Sequence, residues 1–553
     1  MGVTSRRTRR CGMGAGAAAL LWMTAPAMAL QFDTGNPDFK LRWDNNVKYS
    51  SAYRLRDADP ALASDPNQGD GDTNFRQRGL ISNRLDLLSE VEGSFGAVGA
   101  RVSGAAWYDT VYNRGNQNNT GGLFGPGTSL VNSTEVANAN EFTPYTRATH
   151  GRKGELLDAF VSTKLDLGGH ATTVRLGQHT VVWGETLFFG DNGIAGAMSP
   201  VDVAKALSVP NLRFQEILRP VPQVSGQFQV NSDITAYAFY QLSWRENRSQ
   251  GSGSYFSPVD FQAGGNLIFT GPGTVLTRGG THKGKDGGQG GLSLRLRGDD
   301  MDYGLYAVRF NSKNPAIVTD FAHGTFYDNY HNGINVFGAS ANRSLGSFNY
   351  AVEASIRHNQ DLLSPNAYDF GTGPSYGVGK TAHINVSAFG SNLGKSMLWD
   401  DAMLLVEAAY SRVLSIQRGA DTLSGCGPAL VPNSVCLPTN GTRDAYRFQA
   451  LFEPAFYQAL PGVDLRVPMG VGYQPRGSRN MVGPAPFAEN GGSFNIGLSG
   501  SYLDVWRAGL SYTRFFGRRS TVFTPVGAAT SVWNYGQVFG DRDYLSFNFT
   551  RTF

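Results

Sequence analysis

The sequence is poor in cysteine, with three in 553 residues, which excludes a disulfide-built scaffold or a cysteine-rich metal centre. Cys11 follows a group of arginines with no Leu-rich lipobox before it, so a lipid anchor there is not expected. Cys426 and Cys436 lie close together in a Gly/Pro-rich stretch, where an exported chain is expected to join them in a disulfide stapling one surface loop. Long apolar runs are also missing. After residue 29 no clean stretch of about 18 apolar residues occurs, which excludes a bundle of membrane-spanning helices. Net charge is nearly absent too: the formal +4 comes from Arg6, Arg7, Arg9 and Arg10, and four fewer than the 48 basic residues leaves a balance with the 44 acidic ones. Such a balance argues against nucleic acid as a partner. The eight histidines show no spacing suited to zinc, so no metal and no other cofactor is expected.

What the chain has instead is glycine, 70 residues of it, and aromatics at 12%. Both favour β structure with many turns. A mean hydropathy of −0.26 is compatible with a barrel whose apolar band occupies alternate positions. The alternation is visible from residue 39: Phe39, Leu41, Trp43, Val47, Tyr49 and Tyr53 share one parity, while Lys40, Arg42, Asp44, Asn46, Lys48 and Arg54 share the other. Charges opposite aromatics over that length fit a wall with lipid on one side and water on the other.

The pattern recurs and predicts strands near 39–55, 79–95, 98–112, 154–167, 171–185, 222–231, 233–247, 289–299, 301–312, 333–344, 347–359, 382–392, 398–413, 443–459, 464–474, 492–503, 505–517 and 543–553. Connections alternate in length. Short turns such as Phe95-Gly96-Ala97, Leu167-Gly168-Gly169 and Pro461-Gly462-Val463 separate long Gly/Asn/Asp/Pro-rich segments, among them 56–78, 113–153, 186–221, 248–288 and 518–542. The expected fold is therefore all-β: a transmembrane antiparallel up-and-down β-barrel of about eighteen strands (sixteen to eighteen), with short turns on one side and long loops on the other.

Both ends agree with export. Residues 1–29 place arginines before an apolar stretch and close on Ala27-Met28-Ala29, a small-residue site for cleavage of a signal peptide after Ala29. The chain ends with Leu545, Phe547, Phe549 and Phe553 on one parity, which resembles the assembly signal of outer-membrane barrels. Residues 30–553 are thus expected to form the barrel, with outer-membrane lipids and the barrel-assembly machinery as partners.

The least strand-like stretch follows the most pointed one. Arg175, Gly177, Gln178, Trp183, Gly184 and Glu185 lead into a segment with Pro200-Val201-Asp202, and then Glu216-Ile217-Leu218-Arg219-Pro220-Val221-Pro222. An aromatic-rich run, Ala238-Phe239-Tyr240-Gln241-Leu242-Ser243-Trp244, comes next, flanked by Leu157-Asp158-Ala159-Phe160 upstream and Tyr255-Phe256 downstream. Together these elements, over about residues 154–262, resemble the proteobacterial outer-membrane family called domain of unknown function 1302. One departure is Pro210-Asn211, where relatives often carry Pro-Gly. The resemblance implies a barrel of unproven activity, suspected of moving hydrophobic or lipid-like compounds across the outer membrane. It also implies a periplasmic lipid-binding protein and an inner-membrane transporter as partners.

Read from the residues, 186–221 is expected to fold inward as a plug or constriction, with an external lid as the other possibility. Non-helical backbone survives at membrane depth only where protein or a cavity covers it. Arg175, Gln178, Trp183, Glu185, Asp202, Glu216 and Arg219 are the candidate latch or substrate-path residues. An arginine on the lipid side costs about 2–4 kcal/mol at the midplane, so Arg175 is expected to face inward. Gln178 then falls on the apolar parity, a conflict that a bulge at Gly177 would resolve.

Two motifs are set aside. Gly379-Lys380-Thr381 resembles the end of a phosphate-binding loop, but the first glycine of that motif would fall at Pro374. Asn67-Gln68-Gly69-Asp70-Gly71-Asp72 has the oxygens calcium favours, yet no bidentate Glu follows, so a solvated loop is the simpler expectation. The leading function is a gated channel or transport conduit. A non-transporting surface scaffold or adhesin is the alternative, and a barrel-embedded hydrolase has the least support, because no serine motif accompanies His179.

Overall fold

In the computed structural model, residues 30–32, 34–119, 131–212, 214–271, 273–424, 440–483, 487–503, 505–527 and 530–553 are described. The expected signal peptide and both loop cysteines, Cys426 and Cys436, lie outside the described residues. The logic of the wall is plain at Phe348–Asp361. Tyr350, Val352 and Ile356 are exposed, whereas the intervening Glu353, Ser355 and Arg357 are buried. Apolar side chains outward and polar ones inward is the inverse of a soluble core, and it is the pattern lipid demands of a barrel wall.

Eighteen such antiparallel strands close on themselves. They are β1 (Phe39–Arg54), β2 (Gly79–Phe95), β3 (Val98–Asp109), β4 (Arg152–Asp166), β5 (Ala171–His179), β6 (Val221–Gln229), β7 (Ile234–Gln241), β8 (Gln289–Arg297) and β9 (Asp302–Phe310). The ring continues through β10 (Ile334–Leu345), β11 (Phe348–Asp361), β12 (Val378–Gly390), β13 (Asp401–Arg418) and β14 (Asp444–Leu460). It is completed by β15 (Val463–Arg466 and Met469–Gln474), β16 (Gly491–Tyr502), β17 (Trp506–Phe516) and β18 (Tyr544–Thr552). β15 is split at Pro468, which has no N–H to give the ladder. β18 pairs with β1 from Asn46↔Thr552 to Arg54↔Tyr544, and this seam closes the ring. Leu545 and Phe547 are exposed on β18 while Ser546 and Asn548 are buried, and the terminal Phe553 amide donates to the Asn45 carbonyl at 2.8 Å.

Each predicted strand corresponds to one of these. Two fall short at their ends: β7 ends at Gln241 and not at residue 247, and β5 ends at His179 and not at residue 185. Beyond it Ser199 takes the place of a strand partner: its Oγ accepts from the Val181 amide at 3.3 Å and donates to the Val181 carbonyl at 3.0 Å. The expected bulge at Gly177 is absent, since pairing on both flanks of β5 runs through without a shift. The irregularity lies next door, where Ser103 of β3 faces Leu157 and Asp158 of β4. Gln178 stays on the outward parity and turns its carboxamide back onto the Leu156 carbonyl at 3.2 Å, beside that bulge.

The short turns occupy one end. At the other end the long loops build further structure, including a five-stranded sheet from Leu267–Gly271, Thr274–Arg278, Ala316–Asp320, Thr325–Asn329 and Tyr368–Asp369. Phe75, Tyr112, Phe142, Tyr255 and Phe256 pack together with Ala52 of β1. Tyr255 and Phe256 leave the wall between β7 and β8, yet Phe256 meets Phe515 of β17 and Tyr544 of β18, so this loop crosses the mouth. A buried ion network binds the layer: Arg54 reaches Asp72 at 3.1 Å and Asp541 at 2.6 Å, and Arg542 reaches Asp72 at 2.9 Å. Burial would raise the Asp72 carboxyl, but the guanidiniums of Arg542 and Arg54 outweigh it and hold the group below the usual carboxylate range.

Candidate functional site

The segment leaving β5 at Thr180 does not return along its own wall. Its backbone is held by side chains from the buried parity of strands on the far side of the ring. Glu353 of β11 accepts from the amides of Glu185 (2.7 Å) and Ile194 (2.6 Å). Glu407 of β13 accepts at one oxygen from the amides of Leu187 (3.1 Å), Phe188 and Phe189 (3.0 Å). Arg357 of β11 donates to the carbonyls of Asp191, Asn192 and Gly193 at 2.9–3.0 Å. Asn192 bonds Asn385 and His383 of β12, and Arg447 of β14 pairs with Asp191 at 2.9 Å. β5 and β14 stand half-way apart in the ring of eighteen. The segment that leaves β5 therefore bonds inner-facing side chains from the opposite part of the wall.

Local sequence makes that route possible. Gly184 sits at φ +102°, where a Cβ would lie 2.3 Å from Glu353 Oε2, and a Cβ at Gly193 would lie 2.5 Å from Glu353 Oε1. Only glycine lets backbone approach the carboxylate from both sides. On either side of these anchors, Trp183 and then Ile194, Ala197 and Met198 cover an apolar patch on the inner faces of β7, β9 and β10, formed by Phe239, Val308, Phe310, Ile334 and Val336. Trp183 meets Phe239 edge-on at 5.0 Å.

A second lobe follows. Its neck is tied by the Asp202 amide on the Ile217 carbonyl (2.7 Å) and the Arg219 amide on the Pro200 carbonyl (2.8 Å). Asp202 caps the short helix Val203–Ser208 through the Lys205 amide at 2.8 Å and pairs with Arg248 at 2.5 Å. Arg248 is shared with Glu155 of β4. At the tip, Asn211 binds Asn548 of β18 at 2.8 Å and takes Lys48 of β1 on its carbonyl at 3.2 Å.

A family model described as protein of unknown function (DUF1302) matches residues 10–553. The chain belongs to this family. None of the curated proteins compared with it matches. Among solved structures, OccAB4 of Acinetobacter baumannii is 11% identical, the match covering 93% of this chain and 98% of that one with a TM-score of 0.41. The outer membrane protein opdK from Pseudomonas aeruginosa is 9% identical, with 93% and 98% covered and a TM-score of 0.40. OmpT, an outer membrane protein of Vibrio cholerae, is 8% identical, with 95% and 100% covered and a TM-score of 0.34. Likeness at this level carries no argument about what the DUF1302 chain does.

Of the residues singled out from the DUF1302 sequence, Trp183, Glu185, Asp202 and Arg219 lie in the segment between β5 and β6 and bind the rest of the protein. Glu185 accepts from Asn342 of β10 at 3.0 Å, and Arg219 donates to the Glu246 carbonyl. Glu216 lies near enough to Lys48 to act on it electrostatically. Arg175 stacks over Phe160 at 5.6 Å and Gln178 bonds β4, so the structure does not bring these two to the segment. The main holding groups, Glu353, Arg357, His383, Asn385 and Glu407, went unread. His179 places Nδ1 3.0 Å from the Gly177 carbonyl and Nε2 2.7 Å from Ser225 Oγ. Among the described residues no three acidic, histidine or cysteine side chains converge as metal ligands.

Proposed function

We propose that this barrel is an outer-membrane conduit held closed by residues 181–221, and that its cargo is a hydrophobic or lipid-like molecule. The observation that carries the reading is the span of the segment's contacts, from β5 across to β11–β14 and on to β18 and β1. A chain laid across a barrel interior narrows it, and one fastened by hydrogen bonds to two carboxylates can be released. The choice of cargo draws on the inner apolar patch of Phe239, Val308, Phe310, Ile334 and Val336. Water gains nothing from such a surface, whereas displacing Trp183 and Ile194 would offer it to an apolar molecule. A cargo of low solubility does not diffuse freely through the periplasm, so a periplasmic lipid-binding protein and an inner-membrane transporter are the proposed partners.

The test is conductance in planar bilayers, with the intact protein and with residues 190–215 removed, alongside lipid profiles of both membranes after gene deletion. The reading expects a large rise in conductance on removal and an altered lipid distribution. No conductance in either protein together with unchanged lipids would reject it. That outcome would favour a surface scaffold, a reading that draws on the packed outer loops and their buried ion network.

A further inference from the structure

Asp70, Asn74, Asn132 and Asp260 come from three different outer loops and meet in the packed layer above the barrel. Asp260 Oδ2 accepts the Asp70 amide at 2.8 Å, and Asp70 Oδ2 accepts the Asn132 amide at 3.3 Å. Asn67 ties the group from below: its carbonyl takes the Asp260 amide at 2.8 Å and its Oδ1 takes Asn132 Nδ2 at 2.9 Å. Asn74 and Asp70 flank one glycine, for a Cβ at Gly253 would lie 2.4 Å from Asn74 Nδ2 and 3.6 Å from Asp70 Cβ.

All four side chains are buried, Asn132 and Asp260 completely. Three of their oxygens, Asp260 Oδ1, Asn74 Oδ1 and Asn132 Oδ1, have no hydrogen-bond partner among the described residues. Every unmet atom is an acceptor, so the missing partner is a donor or a cation. The neighbouring guanidiniums cannot serve. Arg542 spends Nε and Nη2 on Asp72 and Nη1 on the carbonyls of Tyr255 and Ser257. Arg54 spends its nitrogens on Asp72, Asp541 and the carbonyls of Arg56 and Phe75. Two arginines are thus matched by Asp72 and Asp541, which leaves the charges of Asp70 and Asp260 unmatched among the described residues.

We propose that Asp70 and Asp260, with the side-chain carbonyls of Asn74 and Asn132, form a binding site for calcium. Two carboxylates neutralise the dication, and amide oxygens are the other ligands a hard cation accepts. Calcium takes six to eight oxygens in flexible geometry, so backbone carbonyls or water complete its shell, whereas magnesium demands a tighter octahedron. Asp72, the residue that a sequence reading would pair with Asp70, is already committed to arginine. The second carboxylate comes from Asp260, distant in sequence. The ion would join loops 56–78, 113–153 and 248–288 into one layer.

The experiment uses the full barrel, refolded free of lipopolysaccharide in detergent, stripped with EDTA and dialysed against radioactive calcium. The site predicts one saturable ion per chain, with an affinity in the range of extracellular modules, about 10⁻⁴–10⁻³ M. Asp70→Asn and Asp260→Asn should each weaken binding by about tenfold or more, while Asp300→Asn in a short turn leaves it unchanged. Heat-modifiable gel mobility reports that each variant still forms the barrel. Should either Asp variant not fold, Asn132→Ala removes a ligand with less disruption, and calcium protection of the three loops from protease supplies a second readout. No saturable binding to the folded wild type, or binding equal in all variants, overturns the site and leaves a proton shared between two carboxyls in its place.

Discussion

Phe189 and Glu407 are joined by a hydrogen bond: the Phe189 amide donates to Glu407 Oε2 at 3.0 Å, although its chain leaves the wall at β5 and Glu407 stands on β13. The same oxygen takes the Leu187 and Phe188 amides. Hydrogen bonds to a charged group are worth about 1.5–3 kcal/mol each, and buried N–H groups left without a partner cost about 1–3 kcal/mol apiece. Glu407→Ala is therefore expected to free the 187–189 turn while leaving the wall intact. Single-channel recording should show openings at least about tenfold more frequent than in the wild type. A closed, silent Glu407→Ala barrel would mean that the carboxylate is not a latch.

The two glycines beside Glu353 supply an independent check. Ala at 184 meets Glu353 Oε2 at 2.3 Å on a backbone that L-residues rarely adopt, and Ala at 193 meets Thr186 Cγ2 at 2.4 Å and Glu353 Oε1 at 2.5 Å. Either substitution should displace the turn and reproduce the conductance of Glu353→Ala. Because all three act on one contact, Gly193→Ala combined with Glu353→Ala should add little to either alone. Full additivity of the effects would place them in separate structures.

The wall was legible because period-2 alternation is written in each strand without reference to any other: Leu545, Phe547 and Phe549 against Ser546 and Asn548 say which face meets lipid. The segment after β5 was legible only at its near end. Trp183, Glu185 and Asp202 stand out in an irregular stretch, but Glu353 and Glu407 look like any other inner-parity residues of β11 and β13. Their partners are fixed by position round the ring, which no local pattern encodes. One signal was available: both are carboxylates near the middle of long strands, each set between a Val and an Ala, at a depth where an unpaired charge is costly. Asp70 was read with its sequence neighbour Asp72, when its spatial neighbour is Asp260.

The ion network of the outer layer makes a separable prediction. Arg542→Met leaves Asp72 with only Arg54, and removing one partner of a buried pair costs about 3–5 kcal/mol. The loss should fall on the loops, since Arg542 bonds Asp72, Tyr255 and Ser257 and none of the wall ladder. Limited proteolysis is expected to cut loops 56–78 and 248–288 much faster in the variant, while heat-modifiable mobility of the barrel is kept. Equal protection of wild type and variant would show that the network does not hold the layer.

The proposed cargo can be tested apart from the proposed gate. Phe239 and Val336 lie in the inner apolar patch, beneath Trp183, Ile194 and Met198. Replacing both by Gln keeps the interior passable to ions but makes the patch polar. Fully burying a side chain of the Val or Phe class is worth about 1.5–3 kcal/mol, so an apolar passenger that replaces Trp183 there should be taken up about tenfold less well per substitution. Small-ion conductance after removal of 190–215 should hardly change, because water and salt do not need an apolar lining. Uptake of a fluorescent fatty acid into cells separates the two: a selective fall supports the apolar path, whereas equal uptake with unchanged conductance points to a polar solute that never touches the patch.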